Sequence, residues 1–157
     1  MRTILVISLL LPLTLTACGG GGRRSLNPCT LVDASLAESL VGDRTGEPGP
    51  TSSDKTHDYV ACHWTGQGES LTVEAKIYDN TRTAEADFYR AAQTWECHTT
   101  LTTPKKTRSC AYKSPLDTGV ILTKGQITAR IAYKGPDTTA GDPTTAQQLT
   151  TKALSAL

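Results

Sequence analysis

The amino-acid sequence predicts an α+β domain, in which helices pack on one face of an antiparallel sheet of about five strands in the order α-β-β-α-β-β-β-α. Three observations lead to this prediction. Some short segments alternate apolar and polar residues, as half-buried strands do, and longer segments carry apolar residues three or four positions apart, as helices do. Gly-containing turns join neighbouring strand segments, and strands joined in this way pair antiparallel.

The first helix is predicted to begin after Thr30 as N-cap, with Asp33 in its first turn and Gly42 as its C-terminal stop. Its apolar stripe consists of Leu36, Leu40 and Val41. The segment 43–58 that follows is rich in Gly, Pro and Ser and has no periodicity. We therefore expect a mobile loop there, long enough to carry function.

Two strands are predicted next, at 59–65 and 70–78, joined by a turn that contains two glycines. One face of the first strand is shared by Val60, Cys62 and Trp64. In the second strand the odd-numbered residues from Leu71 to Ile77 are apolar and the even-numbered ones are polar or face water. This alternation is typical of a sheet with one wet side, and it places Tyr78 away from the core.

The clearest helix is predicted to begin at Thr83 as cap. Its buried stripe consists of Ala84, Phe88, Ala91 and Trp95. The side chains expected to remain in water are Glu85, Asp87 and Arg90.

The remaining elements are three short strands and a C-terminal helix. The strands are predicted at 109–113, 119–123 and 126–133, with a tight turn at Lys124 and Gly125 between the last two. The helix is predicted to begin with Asp142 as cap and Pro143 in the first helical position, and its apolar residues are Leu149, Ala153, Leu154 and Leu157.

The N-terminus has the features of a bacterial lipoprotein signal peptide. Arg2 precedes an apolar run at 4–15 that is too short to span a membrane as a helix, and small residues lead to Ala17 and Cys18. We predict a signal peptide at 1–17, cleavage between Ala17 and Cys18, and a diacylglyceryl group on Cys18 as the membrane anchor. The alternatives are an ordinary secretory signal, with Cys18 in a disulfide, and a buried helix of the fold.

After cleavage, a flexible tether is predicted at 18–26 and one α+β domain at 27–157, facing the extracytoplasmic side of the cell membrane. The tether contains four consecutive glycines, which cannot pack in a core. Loss of Arg2 reduces the 16 basic residues to 15, equal to the 15 acidic ones. Bulk charge therefore does not draw the chain to nucleic acid, and no nucleic-acid partner is expected.

Four cysteines remain when Cys18 is lipidated: Cys29, Cys62, Cys97 and Cys110. An even set outside the cytosol favours two disulfides, and of the three connectivities we favour Cys29 with Cys62 and Cys97 with Cys110. The alternative is a metal site that combines cysteines with His57, His63 and His98. The sequence lacks the Cys-x-x-Cys and His-x-x-x-His pairs of common zinc sites, so neither metal nor cofactor is predicted.

Two groups of surface residues have both a functional and a structural interpretation. Lys105, Lys106 and Arg108 form a small basic cluster, suited to phospholipid headgroups or a phosphorylated polymer, but equally typical of a solvated loop. Tyr78 and Tyr89 could form a stacking platform for a glycan or peptide, although scattered surface tyrosines are common.

Two short motifs carry a family resemblance. Asn27, Pro28 and Cys29 precede the first helix, and Cys62, His63 and Trp64 follow the polar loop. Over residues 18–92 the chain resembles actinobacterial cell-envelope lipoproteins built on a domain of unknown function with Asn-Pro-Cys and Cys-x-Trp signatures. The resemblance implies an extracytoplasmic α+β domain with its two signature cysteines paired, and it implies no reaction.

These observations predict a membrane-anchored, non-enzymatic binding or accessory module of the cell envelope. Segment 43–58 and the helix faces would be presented to an envelope protein, lipid or glycan ligand. The rival hypothesis is a cell-wall hydrolase or a metal-dependent envelope enzyme. That enzyme would use His57, His63 or His98 in a polar pocket with a carboxylate or a second histidine.

Overall fold

The computed structural model describes residues 24–66, 68–101, 103–135 and 143–157. These residues form three α-helices and one antiparallel sheet, which confirms the predicted fold class. The helices are α1 Ala34–Val41, α2 Thr81–Thr94 and α3 Pro143–Ala156, with a 3-10 turn at Pro28–Thr30 before α1. The strands are β1 Glu47–Pro48, β2 Ser52–Ser53, β3 His57–Thr65, β4 Ser70–Tyr78, β5 Thr99–Thr100, β6 Thr107–Lys113, β7 Thr118–Lys124 and β8 Ile127–Lys134.

The sheet has eight strands in its described part, so the prediction of about five strands, and the element order that went with it, is wrong. Its strands lie in the order β1-β3-β4-β8-β7-β6-β5, and β2 pairs with β3 on the same side as β1. The additional strands β1, β2 and β5 have two residues each, too few to show an alternating pattern in the sequence. Segment 43–58 is therefore not a plain loop, because it supplies two edge strands.

Helices cover both faces of the sheet, not one face as the sequence suggested. In β8 the odd-numbered residues Ile127, Ala129 and Ile131 pack in the main core with residues of α1 and α3. On the opposite face, the Thr128 hydroxyl donates a hydrogen bond of 2.8 Å to the Ala84 carbonyl of α2. Central strands such as β7 are consequently buried on both sides.

The main core lies between the sheet and the layer formed by α1 and α3. Cys62 and Trp64 are buried there and Val60 packs against the cluster, so the predicted shared face of β3 is correct. The structure contains two disulfides, Cys29–Cys62 and Cys97–Cys110. The first lies within this core. The second adjoins a smaller cluster under α2 that consists of Phe88, Cys110, Tyr112 and Ile121.

Helix α1 begins three residues later than expected. Its N-cap is Asp33, whose carboxylate accepts a hydrogen bond of 2.9 Å from the Ser35 amide, while Thr30 belongs to the preceding 3-10 turn. Hydrogen bonds from Ser35 and the charge of Lys152 lower the pKa of Asp33 to about 2. Gly42 ends the helix in the left-handed conformation at φ 73°, as predicted.

Helix α2, in contrast, begins earlier than predicted, at Thr81, because Asn80 and not Thr83 is its cap. The Asn80 side chain accepts a hydrogen bond of 2.9 Å from the Thr83 amide. The expectation that Asp87 lies in water is wrong: its side chain is 8% exposed and pairs with Lys76 at 3.3 Å. Helix α3 has Pro143 as its first residue, as predicted. Other predictions fall outside the described residues: the cap Asp142, the signal peptide, and the cleavage site at Ala17 and Cys18.

Loss of the Cys29–Cys62 bridge is expected to destabilise the domain more than loss of Cys97–Cys110. The bridged cysteines are 33 and 13 residues apart, which corresponds to about 4 and about 3 kcal/mol in the chain-entropy picture. Urea unfolding of two double variants, Cys29→Ala/Cys62→Ala and Cys97→Ala/Cys110→Ala, measures both contributions. Equal losses, or a larger loss for the second pair, would contradict this assignment.

Candidate functional site

A groove between α2 and the strands β5 and β6 is the candidate ligand site, and we call it the Arg108 groove. It has a volume of about 360 Å³. Its floor is apolar and includes the Cys97–Cys110 disulfide together with Phe88, Ala92 and Leu101. Its remaining walls are formed by Tyr89, Thr100, Thr103, Thr107, Arg108 and Ser109.

A cation and an aromatic ring meet at the rim of the Arg108 groove. The Arg108 guanidinium carbon lies 5.4 Å from the centre of the Tyr89 ring, within the range of a cation–π interaction. Nε of Arg108 is 3.9 Å from a Glu85 carboxylate oxygen, a distance that leaves the other guanidinium nitrogens able to donate elsewhere. Tyr89 is 49% exposed, unusual for a large apolar side chain of this domain.

The fold itself explains why this groove is open. Arg108 and Cys110 of β6 lie on the same face of the sheet, since residues two apart in a strand face the same way. Cys110 packs with Phe88 of α2, so this is the face that α2 covers. The Cys97–Cys110 bridge joins this face to the chain that leaves α2. Among the described residues, only the two-residue strand β5 and Leu101 lie beyond β6, and the small side chain of Ala92 leaves space beneath the helix.

The structure separates the residues of the two predicted surface groups. Lys105 and Lys106 lie in an exposed turn immediately before Thr107, next to the groove that Arg108 lines. Tyr89 joins Arg108, but Tyr78 does not, because Tyr78 is 5% exposed and packs against His57 with ring centres 5.4 Å apart. Burial and the neighbouring Asp87 raise the pKa of Tyr78. Tyr78 therefore faces away from the main core, as predicted, but it is buried on the α2 side and is not available as a surface platform.

A second groove, between α1 and α3, is larger, with a volume of about 460 Å³. Its charged residues are Asp33 and Lys152, which pair with each other at 3.5 Å. The rest of its lining consists of Leu36 and the polar side chains of Ser35, Ser39, Gln147, Gln148 and Thr151. Its two charged side chains are therefore engaged with each other. Arg108, in contrast, is 3.9 Å from Glu85, too far for a hydrogen bond, and keeps its N–H donors for a ligand.

The three histidines lie in different surroundings. The His57 ring is 2.8 Å from the Thr56 hydroxyl and 3.5 Å from the Asp54 carboxylate. His63 lies six residues further along β3, about 20 Å away at the strand rise, with its Nδ1 3.2 Å from the Thr72 hydroxyl. His98 follows α2, and its amide donates to the Ala111 carbonyl. Among the described residues no group of His, Cys, Asp and Glu is arranged to hold a metal ion.

Sequence analysis did not identify a polar network around Arg130 on the α2 side of the sheet. The Arg130 guanidinium carbon lies 4.0 Å from the centre of the Trp95 ring. Arg130 donates to Glu74 at 3.0 Å and also pairs with Asp117. The Tyr59 hydroxyl donates to the other oxygen of Glu74 at 3.1 Å. The sequence contains one signal of this network, Arg130 itself, a charged residue between Ala129 and Ile131 in the middle of the predicted strand 126–133.

Burial and charge fix the protonation states of this network. Burial, followed by the negative charge of Glu74, raises the pKa of Tyr59 to about 12. Burial alone would lower the pKa of Arg130, but Tyr112 and the carboxylates of Asp117 and Glu74 raise it above the ordinary arginine value. Burial also raises the pKa of Tyr112, so the phenols of Tyr59 and Tyr112 are neutral and the Arg130 guanidinium is charged at neutral pH. We assign the network a structural role because Arg130 holds the carboxylates of Glu74 and Asp117 together, while the Arg130 Nε and Tyr112 hydroxyl groups have no hydrogen-bond partner among the described residues.

Neither the family models nor the curated proteins contain a match to this sequence. A solved structure, the extracellular domain of PknH from Mycobacterium tuberculosis, is similar to the chain with a TM-score of 0.50 at 11% sequence identity. The similarity covers 85% of this chain and 100% of that one. At this identity it shows a shared fold. Within the described part of the chain, no helix is both long and apolar enough to cross a membrane.

Replacing Arg130 with lysine is expected to destabilise the domain by about 2 kcal/mol. Lysine cannot bridge Glu74 and Asp117 while stacking on Trp95, so the half-buried carboxylates lose partners. The free energy of unfolding in urea measures the effect. The matched control is Arg90→Lys, at a side chain that is 74% exposed, where we expect no more than about 0.5 kcal/mol. Similar losses in the two variants would refute the structural role.

Proposed function

We propose that the chain is a membrane-anchored, extracytoplasmic, non-enzymatic binding module, and that the Arg108 groove binds an anionic amphiphile. The observation that carries this proposal is the position of Arg108 and Tyr89 at the mouth of a groove with an apolar floor. Ligand sites are commonly concave and apolar, with a few polar groups that fix orientation. The Arg108 groove has that composition.

The two parts of the groove suit the two parts of such a ligand. The guanidinium of Arg108 donates to phosphate or carboxylate oxygens in charge-assisted hydrogen bonds. Phe88, Leu101 and the disulfide offer apolar surface to a hydrocarbon chain. The volume of about 360 Å³ lies within the range of small-ligand sites.

Three observations support the extracytoplasmic address. The structure contains two disulfides, Cys29–Cys62 and Cys97–Cys110, and disulfides are typical of proteins in oxidising compartments. Cys18, the fifth cysteine, stands where lipoprotein processing requires a thiol. The structural neighbour is an extracellular domain.

The composition of the groove favours binding over catalysis. A hydrolase would need a histidine or carboxylate pair in its pocket to activate water. The described residues that line the Arg108 groove include neither histidine nor carboxylate, and Glu85 at its margin pairs with Arg108. This supports the binding module over the rival enzyme.

Decyl phosphate, a ten-carbon chain with an anionic head, is a suitable probe for the groove. We expect measurable binding by calorimetry, and about 10- to 100-fold weaker binding to Arg108→Gln, which loses a hydrogen bond to a charged group. Ala92→Phe should also weaken binding, because the larger side chain fills the floor. Decanol, without the charge, should bind equally to the parent chain and to Arg108→Gln.

Arg44→Gln is the matched control, since Arg44 is an exposed arginine that pairs with Glu38 away from the groove. Its affinity for decyl phosphate should equal that of the parent. If Arg108→Gln and Ala92→Phe bind as the parent does, or if Arg44→Gln is equally impaired, the groove is not the ligand site.

The anchor is tested by the intact mass of the protein purified from bacterial membranes. We expect a chain that begins at Cys18 and carries a diacylglyceryl group, and a gain of four hydrogens on reduction of the two bridges. The variant Cys18→Ser should lack the acyl mass. An unmodified chain that retains residues 1–17, or free thiols with bound zinc, would contradict the proposal.

A further inference from the structure

The two ends of the sheet carry opposite charge. Residues 24–26 approach β2 and the start of β3, so the chain enters the fold at one end, which we call the lower end. The strand register places the turns 54–56, 79–80, 104–106 and 125–126 at this lower end. The turns 42–46, 66–69, 114–117 and 134–135 lie at the upper end.

Basic side chains exceed acidic ones at the lower end, seven to four. The basic residues there are Arg24, Lys55, Arg82, Lys105, Lys106, Arg108 and Lys124, and the acidic ones are Asp54, Asp58, Asp79 and Glu85. The upper end is acidic, six to three. Its acidic residues are Glu38, Asp43, Glu47, Glu69, Glu96 and Asp117, and its basic ones are Arg44, Lys113 and Lys134.

The lower-end charges differ in how far they are already engaged. Lys124 donates to the Leu154 carbonyl at the end of α3, and Arg108 pairs with Glu85. Lys105 and Lys106 are exposed at the tip of the turn between β5 and β6. They are free to contact an external anion.

The length of the preceding chain brings this end close to a membrane if Cys18 is lipidated, a step that rests on the proposed function. Cys18 and Arg24 are six residues apart, which spans at most about 20 Å. The nine-residue strands β3 and β4 are about 30 Å long. The tether is therefore too short for the upper end to replace the lower end at the bilayer.

We propose that the lower end of the sheet, led by Lys105 and Lys106, docks on the anionic surface of the lipid bilayer. Basic residues near such a surface each strengthen the attraction, which falls off within a Debye length. Docking would also bring the mouth of the Arg108 groove to the headgroup layer, because Thr103, Thr107 and Arg108 belong to the same end.

Vesicle sedimentation tests the docking surface without the anchor. The mature-length chain with Cys18→Ser is mixed with vesicles of phosphatidylcholine alone, or of phosphatidylcholine and phosphatidylglycerol in equal parts. We expect binding to the anionic vesicles and its loss in high salt. The double substitution Lys105→Gln/Lys106→Gln in this chain should reduce its partition coefficient for the anionic vesicles about 25-fold, at about fivefold for each charge removed.

Lys113→Gln/Lys134→Gln is the charge-matched control, since both lysines are exposed at the upper end. It should bind as the parent does. Ala92→Phe should also bind vesicles normally, which separates this docking surface from the groove. Equal losses in the two double lysine variants, or no preference for the phosphatidylglycerol vesicles, would overturn the proposal.

Discussion

The attachment of α2 to the sheet through charged residues determines the shape of one side of this molecule. Asp87 of α2 pairs with Lys76 of β4, and the Arg130 guanidinium, which pairs with Glu74 and Asp117 of the sheet and its turn, lies 4.0 Å from the centre of the Trp95 ring at the end of α2. Such charge-assisted contacts are directional and fix the helix over β4, β8 and β7. Strand β6 is left at the margin of the helix, and the Arg108 groove is the space that remains there.

The longer elements of this fold were predictable because each repeats a pattern several times. Strand β4 was predicted with the bounds that it has, since four apolar residues alternate along it. The errors at Tyr78 and Asp87 have a common cause, the assumption that one face of the sheet is exposed to water. Tyr78 and Asp87 both lie on the α2 side, where the sequence suggested water. Alternation shows that a strand has two unlike faces, but it does not show what covers the polar one.

The components of the candidate site were visible in the sequence, but their association was not. Arg108 was noted for its basic neighbours and Tyr89 for its exposure, nineteen positions apart in the chain. Their contact depends on the register of β6 and on the course of the chain from α2 to the Cys97–Cys110 bridge. These are tertiary constraints. The Arg130 network was missed for the same reason, because its carboxylates come from two other segments.

Antiparallel topology explains how a chain of balanced charge acquires two unlike ends. Neighbouring strands of this sheet are antiparallel, so its successive turns lie at alternate ends and the charges of alternate turns add together. Over the whole sequence the 16 basic and 15 acidic residues nearly cancel, so the composition does not reveal this difference between the ends. The segment from Thr103 to Arg108 contributes both to the basic lower end and to the groove wall. The proposed docking surface and the proposed ligand groove are therefore adjoining parts of one feature of this fold.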